Sequence, residues 1–148
     1  MPILHWKKSL AVGFEQIDEE HKKLIAIINK AYDSAVDLRE LEVLSEIVRD
    51  MRSYGAIHFS TEERLMRLHG YPGIKAHRAL HDDFIVAAAL ADKLLSEGGT
   101  ADPLGLFRFL ADWLNHHILV EDKRLADYII EKGAPASAIA QEKDSPQG

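Results

Sequence analysis

The sequence predicts an all-α protein, an up-down-up-down antiparallel four-helix bundle with an N-terminal arm. Four long segments repeat apolar residues every three or four positions, which is the spacing of one helix face. Short breaks separate these segments, and short connections between long helices place neighbouring helices antiparallel. We therefore expect residues 18–133 to form the bundle, between an arm of residues 1–17 and a flexible tail of residues 134–148.

Each predicted helix is bounded by residues that favour the beginning or the end of a helix. The four predicted helices span residues 18–38, 41–68, 73–96 and 102–132. The acidic residues 18–20 suit the positive N-terminal end of the first helix dipole. Glycine and proline in residues 70–73 separate the second helix from the third, which ends at Gly98 and Gly99. Asp102 is a predicted N-cap followed by proline, and Gly133 is the predicted stop of the fourth helix.

The composition excludes several classes of protein. A net charge of −6 without a basic stripe argues against nucleic acid or an anionic membrane as a partner. The chain has no cysteine, so disulfides and thiolate-ligated zinc or iron–sulfur sites are excluded. It shows neither an apolar signal segment nor a run of ~20 apolar residues. We expect a soluble, cytoplasmic protein that is a monomer or a weak oligomer.

Seven metal-capable side chains are predicted to meet at one end of the bundle. Successive helices reverse direction, so the starts of the first and third helices, the end of the second and the later half of the fourth lie together. At ~1.5 Å rise per residue, the seven fit within about two helical turns. All but the last lie clearly on inward apolar stripes. These residues are His21, His58, Glu62, His77, His81, His117 and Asp122.

Taken singly, these residues have ordinary structural interpretations. A lone His21 on an apolar stripe is more often a hydrogen-bonded core residue, and histidine pairs one turn apart are frequent by chance. As a set they need a common partner, because unpaired buried polar groups cost about 1–3 kcal/mol each. Nitrogen and oxygen donors suit iron, manganese or zinc. Seven ligands are too many for one tetrahedral zinc, so two metals bridged by the carboxylates fit better.

The spacing between His117 and Asp122 departs from a regular α-helix. Five residues separate the two, which places them about 140° apart around the helix axis. The apolar stripe of the fourth helix is interrupted at the same place, because a step of five residues joins its first half to its second half. We therefore predict a one-residue π-type bulge between them, a feature that is frequent at functional sites. On an unbroken α-helix the ligand would instead be Glu121, four residues after His117.

A set of motifs spans most of the chain, roughly residues 5–130. The motifs are Trp6, Gly13, Ile17-Asp18-Glu-Glu-His21-Lys-Lys-Leu24, His58-Phe-Ser-Thr-Glu62-Glu63, Leu65-Met66, Gly70-Tyr71-Pro72, His77-x-x-x-His81 and Trp113-Leu-x-x-His117-Ile118 with Asp122. Together they resemble the hemerythrin family, specifically its single-domain bacteriohemerythrins. All seven ligand positions of that family are filled by the expected residue types, and the family match favours Asp122 over Glu121.

The resemblance implies a non-haem di-iron centre that binds O₂ reversibly, with two iron ions per chain. It assigns three histidines to one iron and two to the other, while both carboxylates and an oxo or hydroxo group bridge the pair. The three-histidine iron is assigned His77, His81 and His117, and the two-histidine iron is assigned His21 and His58. The bridging carboxylates are Glu62 and Asp122. This set completes two octahedra except for one position on the two-histidine iron, where O₂ is the expected ligand.

Further residues are given supporting roles around this centre. Five apolar residues are expected to keep the open position dry, namely Ile25, Phe59, Trp113, Ile118 and Leu119. Glu63 and Asp82 are expected to accept hydrogen bonds from ligand imidazoles, which usually donate their second N–H. Outside the centre, three histidines are expected to be exposed or hydrogen-bonded, namely His5, His69 and His116.

Three functions are compatible with such a centre. The first is an O₂ carrier, store or scavenger, whose protein recipient the sequence leaves open. The second is an O₂- or redox-sensing module acting through a partner, although this sequence shows no output domain or long linker. The third is a di-iron enzyme with oxidase, nitric-oxide-reducing or peroxide-reducing activity. Such sites use Glu-x-x-His pairs, whereas these ligands are rich in histidine. We therefore expect a binding protein rather than an enzyme.

Overall fold

The computed structural model describes residues 3–37, 41–99 and 102–132. These residues form the predicted antiparallel four-helix bundle, with no strand in the described ranges. The first three helices are α1 (Glu15–Asp37), α2 (Leu41–Leu68) and α3 (Ile74–Ser96). The fourth helix is continuous but has three parts, α4 (Pro103–Asp112), a π-helical segment (Trp113–Asp122) and α5 (Lys123–Glu131). α1 packs against α2 and α4, and α2 packs against α3.

The helix boundaries agree with the prediction to within a few residues. α1 begins at Glu15, three residues earlier than predicted, because Phe14 and Ile17 are buried in an apolar cluster that holds this turn against the bundle. Asp102 is the predicted N-cap of α4, and its side chain accepts a hydrogen bond from the backbone N–H of Leu104 at 3.2 Å. Two predicted helix ends, Leu38 and Gly133, lie outside the described residues, as does the tail.

The N-terminal arm lies along α1. Asn29 fixes it there: its Oδ1 accepts from the backbone N–H groups of Ile3 (3.1 Å) and Leu4 (2.8 Å). The Nδ2 of Asn29 donates to the carbonyl of Leu4 at 2.9 Å. Trp6 is partly buried beneath the Lys22 ammonium, whose Nζ lies 5.3 Å from the ring centre. The arm therefore covers the start of the helix that carries His21.

Two apolar clusters occupy successive levels of the bundle. One contains Leu24, Met51 and Leu110, and the other contains Met66 and Leu125. His21, Glu62 and Asp122 fall between residues of the two clusters along their helices, whereas His58 and His117 directly precede Phe59 and Ile118 at the edge of the first cluster. A polar layer is thus enclosed between two apolar layers.

None of the described helices combines the length and the apolar character that a membrane span requires.

Candidate metal centre

The seven predicted ligands meet in the polar layer of the bundle. Each has a residue exposure of 3% or less, so the whole set is removed from water. Their donor atoms form two groups, and within each group these atoms lie within 4.8 Å of one another. The larger group consists of Glu62, His77, His81, His117 and Asp122. The smaller group consists of His21, His58 and Asp122.

The π-helical segment explains how His117 and Asp122 share a face. In a π-helix the hydrogen bond spans five residues, so side chains five apart lie about one turn apart. Trp113–Asp122 has this geometry, and both side chains point into the bundle. The predicted interruption of the α-helix is confirmed, and it extends over ten residues rather than one. Glu121, the ligand that a regular helix would favour, is partly exposed and lies 3.4 Å from Arg124.

Asp122 divides its two carboxylate oxygens between the two groups. Its Oδ2 lies 3.0 Å from His21 Nε2 and 3.2 Å from His58 Nε2. Its Oδ1 lies 3.1 Å from His77 Nε2 and 3.0 Å from His117 Nε2. One carboxylate therefore faces two histidines with each oxygen, which is the arrangement of a bridging ligand.

Glu62 also reaches both groups. Its Oε1 lies 3.3 Å from the Nε2 atoms of His58 and His77 and 3.1 Å from that of His81. Its Oε2 is buried and has no hydrogen-bond partner among the described residues. A buried carboxylate oxygen without a donor is costly, so this atom is suited to a cation in the same layer.

The electrostatics of the layer favour added positive charge. Burial and the charge of Asp122 oppose ionisation of Glu62, but the surrounding imidazoles outweigh them and lower its pKa to about 2. Burial opposes protonation of His58, yet the carboxylates around it, Glu62 foremost, raise its pKa to about 10. Burial likewise opposes protonation of His77, but Asp122 and Glu62 outweigh it and raise the pKa of His77 to about 9. Without metal, protons on the histidines balance the two carboxylates, and metal cations would replace those protons.

Two further carboxylates orient ligand histidines. Glu63 Oε2 accepts from His81 Nδ1 at 2.9 Å, as predicted. Glu20 Oε1 accepts from His58 Nδ1 at 2.8 Å, and Glu20 Oε2 accepts from the hydroxyl of Thr61 at 2.8 Å. The sequence predicts for Glu20 only a favourable interaction with the helix dipole, whereas the structure adds this contact with His58. The prediction that Asp82 is also such an acceptor is wrong, because Asp82 lies on the exposed face of α3.

The donor set fits two metal ions. All five histidines present Nε2 to the layer, and imidazole with carboxylate is the donor combination that suits iron, manganese or zinc. His117 Nε2 and Asp122 Oδ1 are 3.0 Å apart, yet each is without a hydrogen-bond partner among the described residues. Buried polar atoms this close together and without a hydrogen-bond partner are suited to a shared cation.

Comparison with known proteins agrees with this geometry. A family model described as the hemerythrin HHE cation binding domain matches residues 12–129. The chain belongs to the hemerythrin family. It is 30% identical over 129 residues to a bacteriohemerythrin of Stenotrophomonas maltophilia, covering 87% of this chain and 83% of that protein. It is 32% identical over 112 residues to a bacteriohemerythrin of Methylococcus capsulatus, covering 76% and 83%.

The likeness extends to three-dimensional structure. A crystal structure of wild-type hemerythrin superimposes with a TM-score of 0.72 and 27% identity, covering 86% of this chain and 98% of that chain. In sequence, the chain is also 28% identical over 113 residues to a myohemerythrin of Theromyzon tessulatum, covering 76% of this chain and 82% of that protein. Both the hemerythrin family and the four-helix fold predicted from the sequence are thereby confirmed.

Aromatic rings surround the histidines of this hemerythrin-family site. Phe59 stacks on His81 with ring centres 4.1 Å apart, and Trp113 stacks on His117 at 3.9 Å. The ring of Tyr54 stacks on His58 at 5.2 Å. These contacts restrict the rotation of three ligand rings and exclude water from around them.

The predicted apolar neighbours are buried with one exception. Phe59, Trp113, Ile25 and Ile118 are all buried, as expected. Leu119 is 36% exposed and does not belong to the enclosed layer. It follows His117 by two residues within the π-helical segment, and a two-residue step carries a side chain about halfway round the helix axis, so Leu119 points away from the centre.

The three remaining histidines stay outside both groups. His5 and His116 are exposed, and His69 is partly buried at the turn after α2. His116 directly precedes His117 in the π-helical segment, and consecutive side chains of a helix point in different directions around its axis. His117 therefore points into the bundle, whereas His116 points toward solvent. The expectation that these histidines are not part of the cluster agrees with the structure.

Substitution of Glu20 tests its role in orienting His58. We expect Glu20→Ala to weaken metal retention at the smaller group by about 10–100-fold, because partners of ligand imidazoles contribute on that scale. The neighbouring Glu19→Ala is the matched control, since Glu19 is exposed and pairs with Lys22 at 2.6 Å. Iron per chain after dialysis measures the effect, and equal retention by the two variants would contradict the role of Glu20.

Proposed function

We propose that this hemerythrin-family chain binds O₂ reversibly at a di-iron centre and serves as an oxygen carrier, store or scavenger. The observation that supports this most directly is the unequal division of histidines around two shared carboxylates. Three histidines lie in the group with Glu62 and Asp122, and two histidines lie in the group that shares Asp122. Unequal ligation leaves one metal with fewer protein ligands than the other.

The ligand roles follow from this division. In the proposal, His77, His81 and His117 would hold one iron, His21 and His58 the other, and both carboxylates would bridge. When bound, the two irons would supply an open coordination position and the electrons for reversible O₂ binding. The protein's own residues fix the imidazoles, through Glu20 at His58 and Glu63 at His81. They also keep the layer dry through near-complete burial.

A surface cleft between α1 and α2 lies beside the group that has two histidines. The cleft has a volume of about 340 Å³, and its walls are mainly apolar, with Ile27 and Ile57 among them. Glu20 and Tyr54, which contact His58, also line it. The cleft therefore approaches the centre on the two-histidine side, where the metal would have fewer protein ligands.

Binding, rather than catalytic turnover, is the activity that this donor set favours. Ferritin-like di-iron enzymes draw most ligands from carboxylates, with Glu-x-x-His pairs on two helices. Here five of the seven candidate ligands are histidines, and the carboxylates are limited to Glu62 and Asp122. We therefore propose that the chain is not an enzyme.

The visible absorption spectrum tests the proposed function. The protein is loaded with iron, reduced without air, exposed to air and then returned to an oxygen-free atmosphere. We expect a band that appears with O₂ and disappears when O₂ is removed. Immediate conversion to a stable ferric spectrum with release of peroxide would contradict reversible binding and favour an oxidase. A protein that retains no iron would contradict the di-iron centre itself.

A further inference from the structure

The outward face of α3 carries an apolar patch. Ile85, Val86 and Leu90 are 50%, 56% and 58% exposed, and Ala89 is exposed between them. The opposite face of the same helix is buried in the bundle, so this patch is not needed for the core. A contiguous apolar patch on a folded domain is a candidate interaction site.

Charged residues flank the patch in a symmetric order. Arg78 and Asp82 precede it, and Lys93 and Glu97 follow it, all exposed. At about 100° per residue, these four lie on the same side of α3 as the apolar residues. Within the described ranges, Asp82, Lys93 and Glu97 have no ion-pair partner, whereas Arg78 Nε lies 3.2 Å from Glu63. Read along the helix, these four charges are plus, minus, plus, minus, and a further cation, Lys75, lies on the same side one turn before Arg78.

We propose that two copies of the chain associate through this face, with α3 packed antiparallel against α3 of the partner subunit. The two-fold axis passes between residues 87 and 88. In this register Ile85 faces Leu90 of the partner subunit, and Val86 faces Ala89 of the partner subunit. A two-fold interface repeats every contact, so the apolar residues of both copies cover one another.

The charges support this register. With the same axis, Asp82 faces Lys93 of the partner subunit, and Arg78 faces Glu97 of the partner subunit. Each pair joins opposite signs and occurs twice. A parallel arrangement would place Asp82 against Asp82 of the partner subunit and Lys93 against Lys93 of the partner subunit. Like charges directly opposed disfavour that arrangement, so the charge order selects the antiparallel pair.

The dimer is weak and depends on concentration. α3 is about 34 Å long at ~1.5 Å per residue, and the contact uses one face of it. One helix face falls short of the ~800 Å² per partner that stable complexes bury. The exposed ion pairs contribute little affinity and mainly set the register. The ligands His77 and His81 lie on the inward face, so the interface does not depend on the proposed oxygen binding.

Sedimentation of the full iron-loaded chain over a wide concentration range tests the proposal. We expect the mass to rise with concentration from 16.6 kDa toward twice that value. Leu90→Glu should remain monomeric, because it places a charge in the patch opposite Ile85 of the partner subunit. Val36→Glu is the matched control, since Val36 on α1 is 60% exposed, and it should dimerise like the wild type. A mass that stays monomeric at every concentration, or dimerisation of Leu90→Glu, would overturn the proposal.

Charge exchange tests the register separately. Asp82→Lys and Lys93→Asp each place like charges opposite one another twice, and each should weaken dimerisation by about 10-fold. The double variant Asp82→Lys/Lys93→Asp restores opposite signs and should recover the wild-type dissociation constant. Circular dichroism and iron content check that each variant is folded. A double variant as weak as either single variant would overturn the antiparallel register.

Discussion

Replacement of Asp122 with alanine is expected to empty the metal centre. Its two oxygens face different histidine groups, Oδ2 toward His21 and His58 and Oδ1 toward His77 and His117. Loss of this one side chain therefore removes a ligand from both proposed metal positions. We expect iron to fall from two per chain to less than one, as measured by metal analysis after gel filtration.

The adjacent Glu121→Ala provides the matched control. Glu121 is the carboxylate that a regular helix would direct at the centre, but the π-helical segment gives that place to Asp122. The two variants remove neighbouring carboxylates from the same helix, so a difference between them reports position rather than charge. Full iron in Asp122→Ala, or loss of iron in Glu121→Ala alone, would contradict the bridging role of Asp122.

Removal of the metal is expected to lower the stability of the bundle substantially. Five histidines and two carboxylates lie in one buried layer, and several of their atoms have no hydrogen-bond partner among the described residues. A ligand present at 1,000 times its dissociation constant stabilises the folded state by about 4 kcal/mol. For a domain of this size that corresponds to a decrease of ~8–16 °C in Tm.

Thermal unfolding followed by circular dichroism measures this effect, with iron-loaded protein compared before and after treatment with a chelator. Asp122→Ala is the internal control, because a variant that retains little iron should show little change on chelation. Equal melting temperatures for the wild-type protein with and without iron would contradict a centre that stabilises the fold.

The fold was predictable because its signals are local. Apolar spacing gave the helices, and a one-turn spacing placed His58 with Glu62 and His77 with His81 on inward faces. The five-residue step from His117 to Asp122 was visible as a break in periodicity. Family resemblance was needed to choose Asp122 over Glu121 there, because periodicity alone does not show how a helix absorbs an extra residue.

The details that escaped prediction depend on how helices pack. Glu20 orients His58 across the α1–α2 interface, and the two residues are 38 positions apart in the chain. Nothing in the local sequence separates it from the acidic residues that favour a helix start. Leu119 differs from its prediction for another reason, because a position close to His117 in the sequence does not bring its side chain to the centre. A two-residue step on a helix reverses the direction of the side chain.

Oxygen uptake per iron tests the central claim most directly. Reduced protein of known iron content is equilibrated with measured O₂ and then with argon, and the gas taken up and returned is quantified. We expect one O₂ to be taken up for every two irons and to be returned in full under argon through repeated cycles. Uptake of O₂ without its return would contradict reversible binding. Uptake of one O₂ for every iron would contradict a centre built from two metals with unequal ligands.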